Sequence, residues 1–345
     1  MSVEIFVGDD HVLGDVLGRV AAQLQEEGLR VVRGPAAPAP LRTEYRQAEW
    51  PRYFGRAEVA VISSRTVITP ELMSWAPRLR GLVFASSSTA SCNLREASDR
   101  GIVVAHGATP QNMEGMAEAT VMLLAALMLD LPLKQLQLAR LEPRPAPQML
   151  TARMLAGATV GLVGYGRIAR EVIARLEGWR VGRILVATRH PERHRPAPPV
   201  EFTELPTLLA QSDAVSLHLP LTPGTRGVIG QAELDRMKPG AILVNTARGG
   251  LVDEAALAER LASGRLRAAA IDTFDTEPVP MEHPLRGLDN VILTEHIVGH
   301  TRDLFDSLVP TAVEHVRAIL AGQRPRYLAN PGVRNDDARH APQVR

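Results

Sequence analysis

The chain has a single cysteine, Cys92, among 345 residues. That excludes an intrachain disulfide framework and predicts a protein suited to a reducing compartment. It also lacks net charge: 39 Lys and Arg against 38 Asp and Glu leave +1, so no basic footprint points to nucleic acid or another polyanion. No apolar run is long enough for a membrane span. The most apolar stretch, 116–131, is interrupted by Glu118 and followed by Pro132, which predicts a buried helix instead. The first residues, M-S-V-E-I-F-V-G-D-D-H, have no basic region leading into a long apolar one, so no signal peptide is expected. No His, Cys, Asp and Glu cluster has metal-ligand spacing, and there is neither a G-x-S-x-G nor a nucleophilic cysteine motif. The expectation is a cytoplasmic protein with no metal, no membrane and no nucleic-acid partner.

What the chain has is alternation. Apolar residues make up 45% and charged residues 22%, an ordinary globular balance, and the length favours two domains. Short β-branched runs alternate with helical patterns, which predicts an α/β fold with doubly wound parallel sheets. In the first third, strands are expected at 3–7, 59–62, 82–84 and 102–104. Val12, Leu13, Val16, Leu17, Val20 and Leu24 line one face of an intervening helix. A Pro- and Ala-rich loop follows at 34–40. One long apolar helix is predicted over 111–130, then a connection over 140–147, which carries three prolines. From Thr159 a strand–turn–helix series repeats, with strands near 159–163, 183–187, 214–217, 241–244, 268–271 and 291–293. Those six suit a nucleotide-binding sheet. A last helix carries Leu304, Leu308, Ala312, Val316 and Ile319, and the polar tail 331–345 is predicted to be disordered.

The segment A-T-V-G-L-V-G-Y-G-R-I-A-R-E-V supplies a G-x-G-x-x-A arrangement in Gly164, Gly166 and Ala169. Gly164 permits a tight turn, Gly166 lets backbone approach a pyrophosphate, and Ala169 keeps helix and sheet close. The helix then opens on Arg167 and Ile168, with free N–H groups and a positive dipole end for phosphate. At the end of the second strand, I-L-V-A-T-R-H-P-E-R-H-R has no acid to accept hydrogen bonds from an adenosine ribose. Thr188 stands in its place, followed by Arg189 and His190. A guanidinium there can pair with a 2′-phosphate, so NADP is expected over NAD, with Arg193 a secondary contact.

Three further segments carry chemistry: V-N-T-A-R-G-G-L-V-D-E with Arg248, I-D-T-F-D-T-E-P with Glu277, and V-I-L-T-E-H-I-V-G-H with His296. Arg248 and His296 each follow an apolar strand, where side chains face a ligand crevice. A fixed cation can grip a carbonyl and its carboxylate. An imidazole can give or take a proton near neutrality, and a carboxylate beside it favours the protonated ring and fixes its tautomer. Singly, each residue has a structural explanation: a surface Arg, a core His, a common Glu-Pro turn. His218, His283 and His300 are expected to be structural or peripheral.

The three segments, in this order and at intervals of 29 and 19 residues (248 to 277, 277 to 296), resemble the D-isomer-specific 2-hydroxyacid dehydrogenase family, of the phosphoglycerate dehydrogenase and glyoxylate–hydroxypyruvate reductase kind. The resemblance runs from about residue 58 to about residue 302. It implies two Rossmann-like domains: a discontinuous substrate domain, 1–110 plus 300–330, and a dinucleotide-binding domain, 111–299. It implies hydride transfer between a nicotinamide cofactor and a small 2-oxo or D-2-hydroxy acid, catalysed by Arg248, Glu277 and His296. Asp272 would meet the nicotinamide carboxamide, Thr246 would lie at the same end, and Pro220 near the adenine. A homodimer is implied as well, with helix 111–130 contributing.

Two departures stand out. Family members carry a glycine-rich turn whose N–H groups hold the substrate carboxylate; here Ser86, Ser87 and Ser88 replace the glycines. The catalytic His is normally preceded by Pro; here Glu295 precedes His296. Arg65 is a further candidate substrate contact. These departures keep two alternatives open: a cofactor-sensing, corepressor-like binding protein, or a dehydrogenase of an unusual acid such as formate or a phosphonate.

Overall fold

The computed structural model describes residues 3–36, 42–195 and 199–333. Part of the expected 34–40 loop and most of the expected disordered tail lie outside the described residues. The chain forms two compact units, 1–112 with 301–345, and 113–300.

The first unit holds β1 (Glu4–Val7), β2 (Arg30–Arg33), β3 (Thr43–Glu44), β4 (Ala57–Ile62), β5 (Thr66–Val67), β6 (Gly81–Phe84) and β7 (Val103–His106). Five of them make a parallel sheet in the order β2-β1-β4-β6-β7, and β3 pairs with β5 apart from it. The order reverses between β1 and β4, and ligand sites of open α/β sheets collect at the carboxyl ends of strands beside such a switch. Alternate residues of each strand serve opposite faces. Ile5, Val7, Val59, Val61 and Val83 pack with the helices Gly14–Glu26 and Arg302–Leu320. Phe6, Ala60, Ile62, Leu82 and Phe84 pack with Tyr45, Tyr53 and Phe54 on the other face. Burial of both faces explains why the central strands read as continuous apolar runs. The chain returns at its end: Ala105 bridges Leu328, and the buried Asn330 side chain accepts from Val104 N–H and donates to the Ile102 carbonyl.

The second unit holds β8 (Thr159–Val163), β9 (Arg183–Ala187), β10 (Val200–Phe202), β11 (Ala214–Leu217), β12 (Ile242–Asn245), β13 (Ala268–Ile271) and β14 (Val291–Leu293). They form one parallel sheet in the order β10-β9-β8-β11-β12-β13-β14. This sheet has seven strands where six were expected, because β10 is a short edge strand of mixed burial and carries Glu201. Edge strands do not show the apolar run by which inner strands are recognised. The order reverses between β8 and β11, again a switch point. The helix Pro110–Met128 buries Ala117, Val121, Leu124 and Leu127. Its C-terminal carbonyls at Leu127 and Met128 accept from Arg267, which also pairs with the buried Asp130. Among the described residues no single helix is long and apolar enough to cross a membrane.

Candidate active site

The turn between β8 and the helix Arg167–Gly178 has the features a dinucleotide needs. Gly164 sits at φ +108°, and a Cβ there would lie 2.6 Å from the His218 carbonyl oxygen, so both conformation and space demand glycine. Gly166 caps the helix without a side-chain hydrogen bond, and a Cβ on it would meet no protein atom within 4 Å. The helix N-terminus is therefore not capped by a neighbouring side chain and suits an anion. Ala169 is fully buried. Arg167 is exposed, whereas the Ile168 side chain packs on the core.

β9 ends at Ala187 and Thr188 follows directly. Glu192, the acid of the next turn, is engaged by His190 at 3.1 Å and Arg193 at 3.8 Å. Arg189 is exposed and pairs with no carboxylate among the described residues. His194 packs edge-on against Tyr165, ring centroids 4.9 Å apart, which draws this basic loop toward the glycine turn. After β11, the neighbour of β8, Pro220 is exposed and its carbonyl accepts from the Thr225 hydroxyl at 2.6 Å. The Thr120 hydroxyl donates to the Met116 carbonyl, so it can only accept, and the Thr246 hydroxyl 3.1 Å away is the donor.

Arg248, Glu277 and His296 stand on three loops at the carboxyl ends of β12, β13 and β14. Asn245 shapes the first: its Oδ1 accepts from Ala247 N–H at 3.1 Å and its Nδ2 donates to the Arg248 carbonyl at 2.9 Å. Burial pulls the Arg248 guanidinium below its ordinary pKa, and the nearby Glu277 carboxylate opposes this; a guanidinium remains charged throughout. Gly249 lets the first two loops meet, because a Cβ there would fall 1.8 Å from the Phe274 carbonyl carbon. Glu277 Oε1 accepts from Phe274 N–H at 3.1 Å, and the two Glu277 oxygens lie 3.1 and 3.2 Å from His296 Nδ1. An ionised carboxylate only accepts, so Nδ1 carries the proton of this pair and Nε2 is left for another partner.

The third loop is built by Asp272. Its buried Oδ1 accepts from Thr294 Oγ1 at 2.7 Å and from the N–H groups of Ile297 and Val298 at 3.0 Å each. Its backbone carbonyl accepts from His296 N–H at 2.7 Å. These bonds hold His296 at φ +57°, a left-handed conformation uncommon for a non-glycine residue and often found at functional sites. His300 is close by: burial first, then the His296 ring, hold its imidazole below the ordinary value, with Asp272 opposing. Glu295 is exposed.

In the first unit, the buried Asp10 organises the loops after β1 and β4. Its Oδ1 accepts from Val12 and Leu13 N–H, and its Oδ2 from the Ser63 hydroxyl at 2.7 Å. Ser63 Oγ in turn accepts from Arg65 N–H. After β6, Ser86 Oγ donates to the Ser88 carbonyl and accepts from Ser64 N–H, each at 3.1 Å. The hydroxyl that replaces a glycine is thus used to close the turn. The N–H groups of Ser86, Ser87 and Ser88 donate to no protein acceptor among the described residues. Neither Asp10 nor Asn245 was singled out from sequence. A polar residue ending an apolar strand, as in I-L-V-N, is the signal that could have found Asn245. The lone Cys92 is buried, which pushes its thiol up to about 12 and leaves it inert.

A family model described as D-isomer specific 2-hydroxyacid dehydrogenase, NAD binding domain, matches residues 121–298. A glyoxylate reductase of Thermofilum pendens is 37% identical over 271 residues, covering 77% of this chain and 79% of its own. A D-3-phosphoglycerate dehydrogenase of Archaeoglobus fulgidus is 32% identical over 284 residues, 82% of this chain; the chain spans 53% of that relative's length. The crystal structure of the TT0316 protein from Thermus thermophilus superposes with a TM-score of 0.80 at 33% identity, covering 95% of this chain and all of that one. With its seven-stranded nucleotide-binding sheet, glycine turn and three loops, the chain belongs to the D-isomer specific 2-hydroxyacid dehydrogenase family.

Proposed function

We propose that the protein reduces a small 2-oxo acid to its D-2-hydroxy acid, with NADPH as the preferred cofactor, and that Arg248, Glu277 and His296 carry the chemistry. The observation that bears most weight is the His296–Glu277 pair at 3.1 Å on the loops that also present Arg248. Gly164, Gly166 and the uncapped helix N-terminus would hold the pyrophosphate, Thr246 and Asp272 the nicotinamide end, and Pro220 the adenine side. When bound, the reduced nicotinamide supplies the hydride.

The chain's own residues do the rest. Arg248, charged and partly buried, orients the 2-oxo acid and draws electron density onto its carbonyl oxygen. His296 enters the step as the imidazolium, gives its Nε2 proton to the forming alkoxide, and is left as the neutral ring with Nδ1–H still donated to Glu277. The serine turn offers the amides of Ser86, Ser87 and Ser88 to the substrate carboxylate, and Arg65 adds a cation. Glyoxylate is the first substrate to try, since the similar Thermofilum pendens protein is named a glyoxylate reductase.

Arg189 with His190 and Arg193 would choose NADPH. The absence of an acid after β9, and a Glu192 already engaged by His190 and Arg193, support this. The exposed apolar side chains Met122, Leu129, Leu131, Leu138 and Leu141 support a homodimer built on this stretch. The test is the loss of reduced-cofactor absorbance with glyoxylate, hydroxypyruvate and pyruvate, using NADPH and NADH in turn. Wild type should favour NADPH, Arg189→Ala should lose that preference, and Arg248→Ala should abolish turnover. Turnover favouring NADH would overturn the cofactor assignment. Equal turnover in Arg248→Ala would overturn the mechanism.

A further inference from the structure

We propose that Glu254 and His283 form a buried strap that positions Glu277, and through it the His296 ring; this rests on the acid role of His296 proposed above. Glu254 opens the helix Glu254–Ala262, but its carboxylate serves the neighbouring loop. One oxygen accepts from Asp275 N–H at 2.9 Å, and the other lies 2.9 Å from His283 Nε2. The side chains are only 14% and 8% exposed. His283 Nδ1 accepts from Leu285 N–H at 3.4 Å, so the ring proton sits on Nε2 and is donated to Glu254. The Phe274 ring meets the imidazole edge-on at 5.2 Å.

The two anchors, Asp275 and His283, bracket Glu277. Between them the segment is neither helix nor strand, and side chains hold it: Arg226 pairs with Asp275 at 2.8 Å, and Arg286 donates to the Val279 and Pro280 carbonyls at 2.9 and 2.8 Å. The Glu277 carboxylate accepts from Phe274 N–H, faces His296 Nδ1 and is about one-third exposed. A loop released at either anchor would let its carboxylate swing away from Nδ1–H. Misplacing a catalytic group by about 1 Å costs on the order of a hundredfold in rate. The strap therefore acts on the reaction without touching it: Glu254 and His283 are positioning residues.

The experiment is nitrogen NMR of the histidine rings in the full chain without cofactor, with kcat and KM for NADPH-dependent glyoxylate reduction alongside. In wild type the His296 proton is expected on Nδ1, and Glu277→Ala should spread it over both nitrogens. Glu254→Ala should move His296 in the same direction and lower kcat about tenfold with little change in KM. Glu254→Gln, which keeps an acceptor for Asp275 N–H, should return both toward wild type. The double variant Glu254→Ala with Glu277→Ala should be no worse than Glu277→Ala alone. Should Glu254→Ala not accumulate folded, His283→Leu cuts the other anchor and should act in the same direction. An unchanged His296 ring in both Glu254→Ala and His283→Leu, beside a changed one in Glu277→Ala, overturns the strap and leaves the mechanism standing. A His296 ring unchanged even in Glu277→Ala overturns the acid pair itself.

Discussion

Two of the histidine–glutamate pairs in the second unit share almost the same geometry in opposite settings. Glu254 and His283 meet at 2.9 Å with both side chains nearly covered, and the atoms of that pair are all spoken for. Glu277 and His296 meet at 3.1 Å, with 33% and 46% of their side chains exposed, at the carboxyl ends of β13 and β14. A hydrogen bond alone therefore does not mark a catalytic group. What favours His296 as the proposed acid is a ring nitrogen left over, an accessible position at strand ends, and a charged Arg248 on the adjoining loop.

Deleting each imidazole separates the two pairs most sharply. His296→Gln should cost about a thousandfold in kcat, the range for loss of a positioned acid, with cofactor binding retained. His283→Gln should keep turnover within roughly tenfold and instead lower stability by about 1–3 kcal/mol, since Glu254 loses a charge-assisted partner in a covered site. Denaturant unfolding followed beside the assay separates the two effects. Next in size is Gly249→Ala. Its Cβ would meet the Phe274 carbonyl, so it should destabilise by about 1–3 kcal/mol and separate the Arg248 and Glu277 loops, disturbing both pairs together.

An effect confined to acid pH tests the opposite case, a histidine with no carboxylate at all. His315 is fully buried in the first unit, accepts from Tyr327 N–H, and burial, then the His106 ring and Arg326, lowers its pKa to about 4. The unfolded chain would protonate it near the ordinary 6.5, so the unfolded state binds more protons between the two values. Stability should therefore be full above pH 6.5 and fall by up to about 3 kcal/mol as pH drops toward 4. His315→Gln, which keeps an acceptor for Tyr327, should flatten that dependence in acid unfolding curves.

The nucleotide-binding sheet and the three loops were legible because their signals are local. A glycine doublet between a strand and a helix, and an Arg or His directly after an apolar run, can be read residue by residue. The edge strands β2 and β10 were not, because Arg30, Arg33 and Glu201 interrupt the apolar pattern that marks inner strands. The partnerships behind the site were not legible either. Thr246 finds Thr120 across 126 positions, and Glu254 finds His283 across 29. No spacing rule in one sequence predicts which polar side chains share a covered space. Asp272 shows a further limit: its segment makes it a candidate contact, but its grip on the 294–298 loop depends on a chain bend that only the fold supplies.

The central claim is that the accessible pair, not the covered one, delivers the proton. The most direct test is single-turnover oxidation of bound NADPH by glyoxylate in wild type, His296→Gln and His283→Gln, with cofactor binding measured by NADPH fluorescence. His296→Gln should bind NADPH as wild type does but transfer hydride about a thousandfold more slowly, while His283→Gln should stay within about tenfold of wild type. Hydride transfer in His296→Gln within about threefold of wild type would contradict that claim.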